Sequence, residues 1–238
     1  MSIKQWLKKH IRPKHMVWLR CLRGGYPVPF WGNLRRTKPL SCNFGFERGT
    51  PVDRFYLHKF LEQNKHFITK DVLEIQVSDC SKQYGHNVLQ QHTVDIIPNF
   101  NPTYLCDLAQ SEAIIPSNAY DCFLMPNTLC VLKDIQICLT QAQRILKPGG
   151  VILATTVSFA PLCPDVPDYW HMSKAGWEEI VKKSLNQCDV KIQSFGNSLI
   201  AMAAMLGLAM EELDPKEFEY QDPRFPVSIT LWAQKRKN

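Results

Sequence analysis

From residue 50 onward, short apolar runs alternate with segments of helical periodicity, and this alternation restricts the chain to α/β folds with a mainly parallel sheet. Thr50-Pro51 reads as a helix start, with threonine as N-cap, proline at the first helical position and Asp53 in the first turn. In the segment DRFYLHKFLEQNK that follows, the apolar positions 55, 57, 60 and 61 share one face. Strands are expected at 72–75, at 88–94 running into Asp95, at 103–106 running into Asp107, and at 120–127. The stretch from Lys133 to Leu146 has apolar residues at 135, 137, 139, 142, 145 and 146, as a helix lying against a sheet would. Lys147-Pro148-Gly149-Gly150 is expected to stop that helix with a C-terminal cation and breakers. The run VILATTV, apolar on both faces, follows as a fully buried strand. A helix at AGWEEIVKKSL and strands at VKIQSFG and PVSITLWAQ complete the pattern.

A chain of 238 residues, 45% of them apolar, can bury one large core or a core with a small appendage. Its charge is divided unevenly. No acidic residue occurs from Met1 to Phe46, while Lys4, Lys8, Lys9, Arg12, Lys14, Arg20, Arg23, Arg35, Arg36 and Lys38 all do. The remainder carries 22 acidic against 18 basic residues. The reading is therefore a basic extension over 1–46 and a globular domain over 47–238. Trp6, Trp18 and Trp31 are interleaved with the cations, and IKQWLKKHIRPKHMVWLRCL has the makings of a basic amphipathic helix broken near Pro13. Such a segment suits an anionic membrane surface or a protein partner. Nucleic acid is the less favoured partner, and a merely solvated extension is the plain alternative.

No run of about 18 uncharged apolar residues is present, so no membrane span is expected. Lysines near the start lack the apolar stretch of a signal peptide behind them, which predicts a cytoplasmic protein. The nine cysteines are odd in number, form no C-x-x-C pair, and fall partly inside strand-like runs. They read as reduced thiols packing as small hydrophobes, with no metal site expected.

In an open parallel sheet, ligands bind outside the carboxyl ends of the strands, where strand order reverses. Each such end here carries a polar group: Glu74 and Gln76 after the first strand, Asp95 after the second, Asp107 after the third, Asn127 and Thr128 after the fourth. An acid at the end of a second strand, here 19 residues beyond Gln76, is placed to accept hydrogen bonds from both hydroxyls of a ribose. A nicotinamide oxidoreductase would need G-x-G-x-x-G after the first strand, and there is none.

The order VLEI, an acid ending strand two, CDL, then YDCFLMPNTLCVLKDIQICLTQAQRILKPGGVIL resembles the class I S-adenosylmethionine-dependent methyltransferases, above all in its RILKPGG turn. It is similar to bacterial methyltransferase-domain proteins that act on small molecules, over roughly 44 to 234. The resemblance implies a three-layer α/β/α Rossmann-like sandwich whose mostly parallel seven-stranded sheet has an antiparallel last strand. It implies S-adenosylmethionine as cofactor, with Gln76 and Ser78 in its loop and Glu74 beside that loop, near the methionine amino group or an ordered water. Asp95 would hold the ribose, Asp107 the adenine amine, Leu108 the face of the ring, and Asn127 the floor beneath the methionine. The opening loop departs from the family pattern, which has three glycines at alternate positions after the acid. This chain has Gln76, Ser78 and Cys80 there, each adding bulk where backbone would otherwise approach the ligand.

Methyl transfer from a sulfonium asks the protein mainly for alignment and exclusion of water. A base is needed only for a poor nucleophile such as a hydroxyl. The segment PDVPDYWHMSKAGW after the fifth strand offers His171 as that base, with Asp165, Asp168 and Tyr169 as further substrate-side groups. The expected acceptor is a small molecule or a saccharide-linked hydroxyl. The alternative is a methyltransferase-like binding protein that keeps the fold without cofactor.

Overall fold

The computed structural model describes residues 13–24, 27, 30 and 32–237. Its contacts divide the chain into one unit over Met1–Lys38 and a second over Pro39–Asn238. The first contains helix α1 (Pro13–Gly24), with no acidic residue in its first turn and Arg23 in its last. The expected helix between residues 3 and 12 lies outside the described residues.

The second unit is built on a seven-stranded sheet: β1 (Lys70–Ile75), β2 (Val88–Asp95), β3 (Tyr104–Leu105), β4 (Tyr120–Met125), β5 (Leu146–Val157), β6 (Cys188–Phe195) and β7 (Ser228–Lys235). The order is β3-β2-β1-β4-β5-β7-β6, with β7 antiparallel to both its neighbours and the other pairings parallel. The expected fold class is the one observed. The chain runs outward from β1 to β2 and β3, then returns across β1 to β4, so the reversal lies between β1 and β4.

Helices α2 (Val52–Asn64), α3 (Asp79–Tyr84), α4 (Ile135–Ile145), α5 (Lys174–Ser184) and α6 (Ser198–Leu206) surround the sheet. Successive strand residues point to opposite faces. Leu73, Phe123 and Ile152 pack on one side with Leu139 of α4 and Trp177 of α5. Val72, Leu124 and Leu153 pack on the other with Leu57, Phe60 and Leu61 of α2. Both faces are covered, which is why the central strands read as unbroken apolar runs. A third cluster joins Tyr56 to Ile200 and Ala203 of α6 and to Phe218, whose ring stacks on Phe55 at 4.3 Å.

Two local readings of the sequence are corrected. Thr50 does not cap α2: its hydroxyl donates to Glu211 Oε1 (2.7 Å) and its amide to Glu211 Oε2 (2.9 Å), and the N-cap is Pro51 with no side-chain cap bond. The glutamate 161 positions away offers a stronger acceptor than a cap would gain. Lys147-Pro148-Gly149-Gly150 follows the end of a helix as expected, but it is taken into a strand and does not form a helix cap. α4 stops at Ile145 and Leu146 is already extended in β5.

Leu146 pairs with Tyr120 while Val151 pairs with Cys122, so residues 147–150 bulge out of the ladder. Gly149 takes φ +84°, and a Cβ on Gly150 would lie 2.9 Å from the Tyr120 carbonyl oxygen, which explains both glycines. The bulge aims Lys147 at two acids at the start of neighbouring strands, Asp71 (2.5 Å) and Asp121 (2.7 Å). Burial works against the ammonium, and its hydrogen bonds to Asp121 and Asp71 outweigh that and raise its pKa. Lys147→Met would leave two carboxylates facing each other, lowering stability by about 1–2 kcal/mol because the groups are partly exposed. A thermal melt is expected to fall by roughly 2–8 °C; an unchanged midpoint would deny Lys147 this role.

Candidate functional site

The loop after β1 leaves the sheet through Gln76, which takes φ +66° and donates its amide to Val94 O (2.9 Å). A non-glycine residue therefore occupies the left-handed conformation that a loop glycine would adopt freely. Its side chain is exposed, while Ser78 is half-buried at the N-cap position of α3 and uses no side-chain cap bond.

The cap comes instead from Glu74. This carboxylate is fully buried; Oε1 accepts from Cys80 N (3.0 Å), and Oε2 accepts from Ser81 N (2.9 Å) and Ser81 Oγ (2.6 Å). Burial raises its pKa, and the bonds from Ser81 and Cys80 oppose the rise. Glu74 thus lies beneath the loop and fixes its shape, with its acceptors turned toward chain donors. Cys80, the third residue at a glycine position of the family pattern, is in α3 with its thiol pushed up to about 12 by burial and by Glu74.

Asp95 ends β2. Its Oδ1 accepts from Ile96 N (2.6 Å) and Ile97 N (3.2 Å), whereas Oδ2 is buried and has no hydrogen-bond partner. A buried carboxylate oxygen left unpaired costs free energy unless something fills the position. Beside it, Ile96 is 69% exposed, a bare apolar surface that the sequence pattern had not singled out.

Cys106 N donates to Asp95 O (2.9 Å), which fixes the end of β3 against the end of β2. Asp107, on the next residue, is exposed and spends Oδ1 on Ala109 N (2.9 Å). Leu108 is buried in the core beside Val94 and Phe123, so it presents no open face. Asn127, after β4, has φ +47° and is fully engaged: its Oδ1 accepts from Thr155 Oγ1 (2.8 Å), its amide donates to the same oxygen, and Nδ2 donates to Asp53 of α2. It ties the ends of β4 and β5 to α2.

The segment after β5 folds back over the loop after β4. Tyr169 N (2.8 Å) and Trp170 N (3.1 Å) donate to Cys130 O, and Trp170 Nε1 donates to Leu132 O (2.7 Å). His171 Nδ1 lies 3.0 Å from Ser158 O, an acceptor, so this nitrogen carries the proton. Nε2 is buried, without a hydrogen bond, and faces Asp168 Oδ2 at 3.6 Å. Asp168 in turn accepts from Cys163 N (2.7 Å). Histidine and aspartate are therefore brought together, Tyr169 is largely exposed beside them, and Asp165 is exposed on the same segment.

A pocket of about 310 Å³ opens between α2 and α3, lined by Arg54, Leu57, His58, Asp79, Cys80 and Gln83 among others. His58 Nδ1 lies 2.5 Å from the Tyr84 hydroxyl. Burial and, less strongly, Arg54 lower the pKa of His58. Opposite charges, Arg54 and Asp79, thus line one pocket at the edge of the loop where glycines are missing, with Arg54 Nε 3.7 Å from Asp53 Oδ2. Sequence reading passed over Arg54 because it lies on a helix preceding the first strand, far along the chain from Asp79. Among the described residues, no group of three or more histidines, cysteines or acids could hold a metal ion, and no helix is long and apolar enough to cross a membrane.

Residues 56–154 match the profile of a family described as methyltransferase domain. No curated protein matches the sequence. Among solved structures, an S-adenosylmethionine-dependent methyltransferase from Archaeoglobus fulgidus superposes with a TM-score of 0.50 at 15% identity, covering 76% of this chain and 94% of that one. The [4+2]-cyclase SpnF superposes with a TM-score of 0.53 at 13% identity, covering 90% of each chain. A phosphoethanolamine N-methyltransferase from Haemonchus contortus, in complex with S-adenosyl-L-methionine, gives 0.52 at 16% identity over 76% of this chain and 53% of that one. At these identities the superpositions speak for the fold alone: with the strand order they give the chain the Rossmann-like fold of S-adenosylmethionine-dependent methyltransferases, and residues 56–154 carry the match to the methyltransferase domain.

Proposed function

We propose that the chain binds S-adenosylmethionine at the carboxyl ends of β1, β2 and β4 and transfers its methyl group to a small-molecule or saccharide-linked hydroxyl. The observation that carries this reading is the buried, unpartnered Oδ2 of Asp95 at a strand end. The position suits a ribose hydroxyl, a neutral donor that a carboxylate accepts strongly. The exposed Ile96 beside it offers the apolar face for an adenine ring. At the other end, backbone contact through glycines is replaced by side chains. Arg54 and Asp79 bear the charges that complement the carboxylate and ammonium of a methionine head, and Glu74 keeps the first turn of α3 closed beneath them. The residues present therefore fit the cofactor, with the loop shaped by Gln76 in place of glycine.

Bound there, S-adenosylmethionine supplies a methyl group already activated on sulfonium sulfur. The chain's part is to align, to exclude water and to take the acceptor proton. His171 is suited to the last of these. With Nδ1–H held by Ser158 O, Nε2 is the proton-accepting atom, and Asp168 beside it stabilises the positive charge that proton uptake creates. Exposed Tyr169 and Asp165 are then acceptor contacts. An alternative, a binding protein of the same fold without cofactor, is favoured by the glycine-poor loop alone.

Calorimetric titration of the purified protein with S-adenosylmethionine and with its demethylated product separates the two. Micromolar affinity for both is the expected result, and no heat at millimolar ligand from a folded sample would sink the proposal. Radiolabel transfer across a panel of hydroxyl, amine and thiol acceptors then tests His171. Transfer confined to amines and thiols, which need no base, would remove the role assigned to it.

A further inference from the structure

We infer that the Met1–Lys38 unit is a docking element for an anionic lipid bilayer. The inference is independent of the cofactor site and rests on charge and exposed apolar surface occurring together. All ten basic residues before Glu47 fall within this unit, which has no acid at all, whereas the rest of the chain holds 22 acids against 18 bases.

Helix α1 exposes Leu19 (43%) and Leu22 (53%), three positions apart and so on one face, with Arg23 exposed next to them. Farther on, Phe30 is 95% exposed and Leu34 39% exposed. A cationic segment that keeps leucines and a phenylalanine in water matches a bilayer interface. There the cations meet anionic headgroups while the apolar side chains enter the boundary with the acyl chains. Binding to nucleic acid would use the same cations but leave Leu19, Leu22 and Phe30 without a role. An acidic protein groove would need only part of the charge. Because the remainder of the chain is net acidic, the attraction is confined to this unit.

The test is sedimentation of the full chain with vesicles of phosphatidylcholine alone and of phosphatidylcholine mixed with phosphatidylglycerol. Binding is expected to the mixed vesicles, at least about tenfold stronger than to neutral ones, and to weaken as salt rises. Arg23→Glu with Arg35→Glu should lower it by about fivefold or more per cation changed. Leu19→Gln with Leu22→Gln leaves the charge untouched and should lower it by about tenfold. Circular dichroism and a thermal melt of each variant keep unfolding from being read as lost binding. No sedimentation with either vesicle overturns the inference. So does a chain that binds duplex DNA at the same salt with an affinity the leucine changes do not move, when it prefers that DNA to the mixed vesicles.

Discussion

Replacing Asp95 by alanine lowers the affinity for S-adenosylmethionine by about tenfold to a hundredfold, the loss expected for charge-assisted hydrogen bonds worth about 1.5–3 kcal/mol. Calorimetric titration of wild type and variant measures it directly. The alanine also removes the acceptor for Ile96 N and Ile97 N, so part of its effect could pass through the loop. Asp95→Asn separates the two contributions. Asparagine keeps a carbonyl oxygen for those amides and loses the negative charge at the position now held by Oδ2. A drop in affinity in both variants supports ribose binding, whereas wild-type affinity in both would remove Asp95 from the site.

Glu74→Ala is expected to destabilise the domain by about 2–4 kcal/mol, because it leaves Cys80 N and Ser81 N buried with no acceptor. In a thermal melt this appears as a fall of roughly 4–16 °C. Glu74→Gln retains one acceptor and should fall between. The two also differ with pH. Burial raises the carboxyl pKa of Glu74 above its ordinary 4.5, so its protonated form is favoured by folding. The linked stability is fully present below the unfolded value and is lost as pH rises through the raised folded value. The margin of wild type over Glu74→Gln should therefore be widest in acid and shrink toward neutrality. A margin independent of pH would mean that the carboxylate is as easily ionised in the fold as outside it.

Strand positions were readable because both faces of the sheet are covered, so each central strand is a compact apolar run ended by a polar residue. Asp95 was reachable for the same reason: it ends a strand, where a parallel sheet collects its polar groups, whereas His171 and Asp168 were named on the segment after β5 but not as a pair. What escaped was decided by partners distant in sequence. Thr50 looked like a cap until Glu211 claimed it, and Lys147 looked like a helix terminus until Asp71 and Asp121 drew it into a bulge. Glu74 was expected at the ligand, but the unsatisfied amides of α3 lay nearer. β3 was expected to be longer; only Tyr104 and Leu105 pair, since it is an edge strand with β2 as its one neighbour. Leu108 was expected, from the resemblance, on the face of an adenine ring, yet its side chain completes the core.

The placement of β7 between β5 and β6 governs the order in which the sheet can be assembled. Among the described residues, β6 has no sheet partner except β7, and β5 has only β7 on that side. Until residues 228–235 are available, one flank of β5 is an open edge and the segment 188–195 has nothing to pair with. The sheet from β3 through β5 can form while the chain is still being synthesised; its last two strands can only be added together, as an antiparallel pair closing on an existing edge. The interval before they arrive is when the unpaired flank of β5, an apolar strand, is most open to joining another chain.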